Sequence, residues 1–283
     1  MECTCVDGMF LYFDAAERQA AELVSQACAR SAELLHQHWR LQTPVDCRVY
    51  IMTSWHGFVC QSAPWPWKVL LSLTFPFWAP RAKAVWPIAG GWQQSYGRRQ
   101  AVGIKPPRLI QAADSKIGDK IFLRDGDVND RVRAVACHEL THAFTAGLHL
   151  PAWFKEGVAM VAVDRFFGRL TVKRETLGML GQLTERARVP SDRMVRVRDP
   201  DDLVYTYVRG YWLIRYLEES RPGLVAELLS RRYPQRLLEA RIAASCGKSP
   251  EQYRDGIDQE LIAHFQGSAN TRRTERRPDS KFM

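Results

Sequence analysis

Apolar side chains recur at helical spacing from Asp14 to Trp39, with Ala16, Ala20, Leu23, Val24, Cys28 and Leu34 along one stripe. Asp14 stands where an N-cap is needed and Glu17 follows it, so a long amphipathic helix is predicted. Arg48 to Thr53, RVYIMT, is β-branched and aromatic and reads as a strand. Between Gln61 and Trp92 the pattern is punctuated by Pro64, Pro66, Pro76, Pro80, Pro87, Gly90 and Gly91, which predicts short strands and loops rather than long helices. Ala101 to Ile104 and Lys120 to Leu123 are further short strand candidates.

From Asp130 onward the period is helical. Asp130 is placed to cap a helix with Val132, Val135, Ala136, Leu140 and Ala143 on its apolar face, and Gly147 is placed to end it. Pro151 suits the first turn of a second helix reaching about Phe167. Tyr205 to Ser220, Gly223 to Arg231 and Gln235 to Ser245 read as helices. A last one starts at Ser249 and Pro250 and reaches about Phe265. The expected organisation is α+β. Residues 1–128 form a mixed α/β half and residues 129–266 a mostly helical half, with a seam near Asp125 to Asp130. The two halves are expected to share one active-site cleft as one catalytic unit. Residues 267–283 are polar and basic and are expected to be a disordered tail.

Composition narrows the class. The chain has 283 residues, 46% hydrophobic and 25% charged, which excludes collagen, low-complexity disorder and coiled coil. The longest uncharged run, Val49 to Trp67, carries His56, Gln61, Pro64 and Pro66 and does not read as a membrane span. The start, MECTCVDGMF, lacks a basic stretch followed by a long apolar run, so no secretory signal is expected. The seven cysteines include no C-x-x-C pair; reduced thiols and a cytoplasmic location are the expectation.

The net charge of +9 is unevenly spread. From Cys47 to Ala113 there is no Asp or Glu, and Arg48, Lys68, Arg81, Lys83, Arg98, Arg99, Lys105 and Arg108 give +8. The same stretch holds Trp55, Trp65, Trp67, Trp78, Trp86 and Trp92, six of the nine tryptophans. Two readings follow. The rings pack on the domain within hydrophobic hairpins, or residues 47–113 engage an anionic partner, either nucleic acid or a membrane surface.

Residues 138 to 142 read His138-Glu139-Leu140-Thr141-His142, an H-E-x-x-H in a helical segment. Four residues make about one turn, so both imidazoles leave the same face and can take two corners of a zinc tetrahedron. Glu139 lies on the adjacent flank, where its carboxylate can serve a water rather than the metal. Ala134 to Cys137 and Ala143-Phe144 flank the motif, so the helix is expected to be largely buried, where an ionisable cluster needs pairing or a metal. Cys137 is turned about 100° from His138 and reads as core. A third ligand is needed, and two side chains are candidates. His149 follows His142 by seven residues. Glu156 lies in PAWFKEGVAM, where Gly157 and Ala159 permit a second helix to approach closely.

HELTH followed by LPAWFKEGVA resembles the gluzincin metallopeptidases, in particular the peptidase MA-like families with a short spacing from H-E-x-x-H to W-x-x-E-G-x-A. YTYVRGYWLIRYLEE, LVAELLSRR and IAASCGKSPEQYRDGI are similar to their C-terminal helices, and the likeness extends over about Asp14 to Phe265. It implies a zincin-like fold, a peptide or protein substrate, zinc held by His138, His142 and Glu156, and Glu139 as general base. Tyr207 best fits the tyrosine that steadies the oxyanion in such families, with Tyr205 and Tyr211 close by. The Gly-x-Met-Glu-Asn exopeptidase signature is absent, and Gly90-Gly91 does not replace it. Lys120 to Leu123 is expected to lie beside the site as a strand able to pair with substrate. The alternative is a zinc-binding, catalytically weak protein of the same fold that works through its basic Trp-rich segment.

Overall fold

The computed structural model describes residues 1–111, 118–123, 127–183 and 200–274. The chain opens with a hairpin of β1 (Glu2–Val6) and β2 (Met9–Phe13), turned by Asp7 and Gly8 at φ 48° and 79°. Positive φ at both central residues matches the right-handed twist of the strands. A 3-10 turn at Ala15–Glu17 leads into α1 (Arg18–Trp39). β3 (Asp46–Ile51) follows, then α2 (Trp55–Ser62), α3 (Trp65–Leu73) and α4 (Phe75–Val85). β4 (Gly91–Tyr96) and β5 (Arg99–Ile104) complete a five-stranded sheet of order β1-β2-β3-β5-β4. β2, β3 and β5 run parallel, while β1 and β4 are antiparallel edges.

The remainder is helical. It comprises α5 (Pro107–Gln111), α6 (Gly118–Ile121), α7 (Val128–Thr145), α8 (Ala152–Phe167), α9 (Thr176–Leu183), α10 (Pro200–Ser220), α11 (Leu224–Leu229), α12 (Gln235–Ser245) and α13 (Pro250–Thr274). The architecture is mixed α/β with one sheet, in line with the α+β expectation.

Alternation along the strands makes two cores. Met9, Leu11, Val49, Ile51, Val102 and Ile104 face α1 and α7, and this main core continues through α8 and α10 to Phe265. Tyr50, Met52 and Ala101 point the other way, onto Phe58 and Val59 of α2, with Leu71, Trp78 and Trp86 packed against them. Residues of both sequence halves thus share the main core.

Several expectations are corrected. Gln61 to Trp92 is largely helical: Pro66 and Pro76 sit in the first turns of α3 and α4, where a missing N–H costs no hydrogen bond, and only Pro80 falls inside a helix. Lys120 and Ile121 belong to α6; only Phe122 makes an extended bridge, to Val172. The cap of α7 is Asp127, whose carboxylate accepts from Asn129 N at 2.8 Å, while Asp130 sits in the first turn and pairs with Arg133. α7 ends at Thr145, and Gly147 lies in a following 3-10 turn. α13 continues to Thr274, so the expected tail is helical over residues 267–274; residues 275–283 lie outside the described residues, as do residues 124–126 of the seam. Cys137 is fully buried, as expected of a core residue. No described helix is long and apolar enough to cross a membrane.

Candidate metal centre

α7 runs beneath the β4–β5 side of the sheet and presents His138 and His142 one turn apart. Their Nε2 atoms are 3.0 Å apart, with the rings nearly perpendicular at 86°. α8 brings Glu156 across them. Its Oε2 lies 3.1 Å from His138 Nε2 and 3.3 Å from His142 Nε2. His149 is exposed, at the left-handed end of the turn after α7, and stands outside this cluster. Of the two candidate third ligands, Glu156 is the one brought to the histidines.

The donor set fits a divalent cation. Atoms bound tetrahedrally to zinc at about 2.0–2.1 Å stand about 3.3–3.4 Å from one another. The three observed separations, 3.0, 3.1 and 3.3 Å, form a triangle close to one face of that tetrahedron. Two imidazole nitrogens and a carboxylate oxygen, all within 4.8 Å of one another, could hold one cation. His142 Nδ1 is buried without a hydrogen-bond partner among the described residues, so nothing described there fixes its tautomer.

Electrostatics follow from burial and mutual contact. Burial drives His142 down to about 4, against a smaller upward pull from Glu156. Burial works against the imidazolium of His138 too, but its hydrogen bond to Glu156 overcomes this and raises it. Burial works against the Glu156 carboxylate, but the two histidines hold it well below the usual range. Glu139 is pushed up to about 7 by burial, with Glu156 adding to the rise and His138 drawing it back.

Glu139 stands beside the head of β4. A Cβ on Gly91 would come within 2.6 Å of Glu139 Cγ and 2.7 Å of Val135 Cγ1, and one on Gly90 within 2.8 Å of Val135 Cγ2. The glycine pair therefore lets an edge strand lie directly on the motif helix, which proline-and-glycine punctuation alone did not reveal. A cleft of about 290 Å³ opens here, lined among others by Gly90, Gly91, Phe122, Leu123, His138, Glu139 and Tyr207.

The three tyrosines of α10 separate by their partners. Tyr205 Oη donates to Asp258 at 2.7 Å and Tyr211 Oη donates to Asp164 at 2.7 Å, both away from the cleft. Tyr207 alone of the three lines it, stacked 6.3 Å from His138. Burial raises its hydroxyl well above the ordinary value, and Glu156 and Glu139 add to this, so it stays a proton donor.

What fixes α10 against α8 is a contact of backbone on backbone. A Cβ at Gly157 would lie 2.3 Å from Gly210 O, and one at Gly210 would lie 2.0 Å from Trp153 O. Gly157 follows Glu156 directly and Gly210 lies one turn beyond Tyr207, so this crossing sets their spacing. Asp164 supports it further along. Its Oδ1 accepts from Thr171 N and Oγ1, both at 2.7 Å, and its Oδ2 accepts from Tyr211 and Arg215. Asp164 was not singled out in the sequence, because one acid in an apolar helix carries no spacing signal.

No family model matches the chain, and neither a curated protein nor a solved structure is similar to it at a significant level. The functional reading therefore rests on the chemistry of these side chains.

Proposed function

We propose that this chain is a zinc-dependent peptidase of the gluzincin type with a zincin-like fold. The observation that carries the reading is the convergence of His138, His142 and Glu156 within 4.8 Å of one another, with Glu139 and Tyr207 opening onto the adjoining cleft. His138, His142 and Glu156 would hold the metal, and zinc when bound supplies a Lewis acid that acidifies water toward neutrality.

The chain's own groups supply the rest. Glu139 accepts a proton as the water oxygen bonds to the scissile carbonyl carbon, and returns that proton to the departing amine as the carbon–nitrogen bond breaks. Tyr207 donates a hydrogen bond to the carbonyl oxygen as negative charge develops there. An extended substrate has an edge to pair with in β4, whose first residue lines the cleft. Residues 121–123 do not offer that edge on the side facing 171–173, since Leu123 N donates to Thr171 O and Lys173 N to Ile121 O.

The test is metal content and thermal melting of purified protein beside Glu156→Ala. Zinc near one equivalent is expected in the parent chain. Its restoration after chelation should raise the melting temperature, by the equivalent of about 4 kcal/mol when free zinc is a thousandfold above its dissociation constant. Glu156→Ala should lose the zinc and the increment, while His149→Ala keeps both. A parent chain that melts identically with and without zinc would contradict the reading. Tyr207→Phe is expected to keep zinc and lower turnover on a peptide substrate about 10²–10³-fold. A rate unchanged from the parent would remove Tyr207 from the chemistry.

A further inference from the structure

The hairpin of α3 and α4 has the wrong surface for water. Of the twelve large hydrophobics exposed among the described residues, seven lie between Trp65 and Phe77: Trp65, Trp67, Val69, Leu70, Leu73, Phe75 and Phe77. Trp65 is 77% exposed, Leu73 74% and Phe77 85%. α3 buries none of its residues, although its sequence WPWKVLLSL is apolar nearly all round. Such a helix belongs inside a core or in lipid, and a contiguous apolar patch on a protein surface marks something that covers it.

The hairpin is nonetheless held in place on its inner side. Trp78 packs tilted against Trp55 at 5.0 Å and donates from Nε1 to Leu71 O at 2.9 Å, and Trp55 meets Trp92 of β4 at 5.5 Å. Trp55, Trp78, Trp86 and Trp92 pack on the sheet, Trp67 lies partly exposed with its ring 5.8 Å from that of Tyr96, and Trp65 projects outward.

We propose that α3 and α4 dock this protein on a bilayer surface rich in anionic phospholipid. Charge selects the occupant. Residues 47–113 hold no carboxylate; Arg48 and Arg99 are paired with Asp46, Arg108 with Glu17, and Lys105 is buried, which leaves Lys68 and Lys83 exposed on the hairpin itself. Cations beside exposed tryptophans and aliphatic side chains match lipid headgroups over acyl chains. A second copy of the same face would set like charge against like. Nucleic acid would leave Val69, Leu70, Leu73 and Phe77 without apolar cover. At nine residues α3 is far short of the about 20 that span a bilayer, so the hairpin lies in the interface. The chain leaves α4 at Val85 and reaches the cleft at Ile88, Gly90 and Gly91, which puts the candidate metal centre within a few residues of the docked surface.

The experiment is flotation of the full chain with vesicles of phosphatidylcholine alone and with added phosphatidylglycerol. The parent chain should float with the anionic vesicles, and brominated lipid should quench part of its tryptophan emission. The triple variant Trp65→Ser, Leu73→Ser, Phe77→Ser, whose sites are exposed and whose melting should match the parent, should partition at least about tenfold less, as the loss of three buried apolar side chains requires. Lys68→Glu with Lys83→Glu should erase the preference for anionic over neutral vesicles. The inference is overturned if the parent stays unfloated and unquenched, if the triple variant floats equally, or if the patch instead drives a concentration-dependent dimer or a nucleic-acid mobility shift that the triple variant abolishes.

Discussion

Glu139→Gln should lower peptide hydrolysis about 10²–10⁴-fold, the range general acid–base catalysis supplies, while zinc stays near one equivalent. The amide keeps the shape of the side chain beside Gly91 but cannot accept the proton of the attacking water. The separation of the two readouts is what gives the experiment its force. His138, His142 and Glu156 meet without Glu139, so metal content and fold should not move. Assay of hydrolysis, zinc and melting temperature on one preparation checks it. A variant that hydrolyses peptide as fast as the parent would deny Glu139 its role, and one that loses zinc would place Glu139 among the metal ligands.

Gly210→Ala should cost about 2–3 kcal/mol, the effect of forcing a methyl into a filled contact. Its methyl would lie 2.0 Å from Trp153 O, a backbone atom that no rotamer change can move. Relief requires α10 to lift from α8, and that draws Tyr207 away from Glu156. A fall of about 3–5 °C in melting temperature is expected for a chain of this size, with turnover reduced beyond the loss of folded protein. Gly178→Ala in α9 is the control. Among the described residues no atom lies within 4 Å of its would-be Cβ, and alanine there should leave stability unchanged or raise it by up to about 1 kcal/mol. Equal melting of the two variants would contradict the close crossing.

Most of the helical second half was legible because its helices carry their own period and punctuation, although α9 was not read and α10 begins at Pro200 rather than Tyr205. Pro151 and Pro250 sit at the starts of α8 and α13, and the stretch from His138 to Gly157 announces both the motif and its neighbouring helix. The hairpin of β1 and β2 was missed although Asp7-Gly8 between ECTCV and MFLYF is a turn signal; ECTCV alternates too weakly to read as a strand alone. α3 and α4 were missed because proline reads as a breaker unless its place in the first turn is known. At the site, H-E-x-x-H follows from helix geometry, but the choice among Tyr205, Tyr207 and Tyr211 depends on Asp258 and Asp164 claiming two of the hydroxyls. Gly91 read only as turn punctuation and Gly210 carried no signal, while Gly157 pointed to a close helix approach without naming its partner.

The parallel pairing of β3 with β5 has a consequence for biosynthesis. Residues 52–98 lie between these neighbouring strands, so β3 has no partner on that side until Arg99–Ile104 has emerged. The apolar hairpin is synthesised inside that interval, ahead of the strand that closes the sheet. A nascent chain paused there displays a free strand edge and a sticky helical pair together, the combination most prone to self-association. Early capture of that pair by a chaperone or by lipid would shelter the intermediate until the ribosome delivers β5.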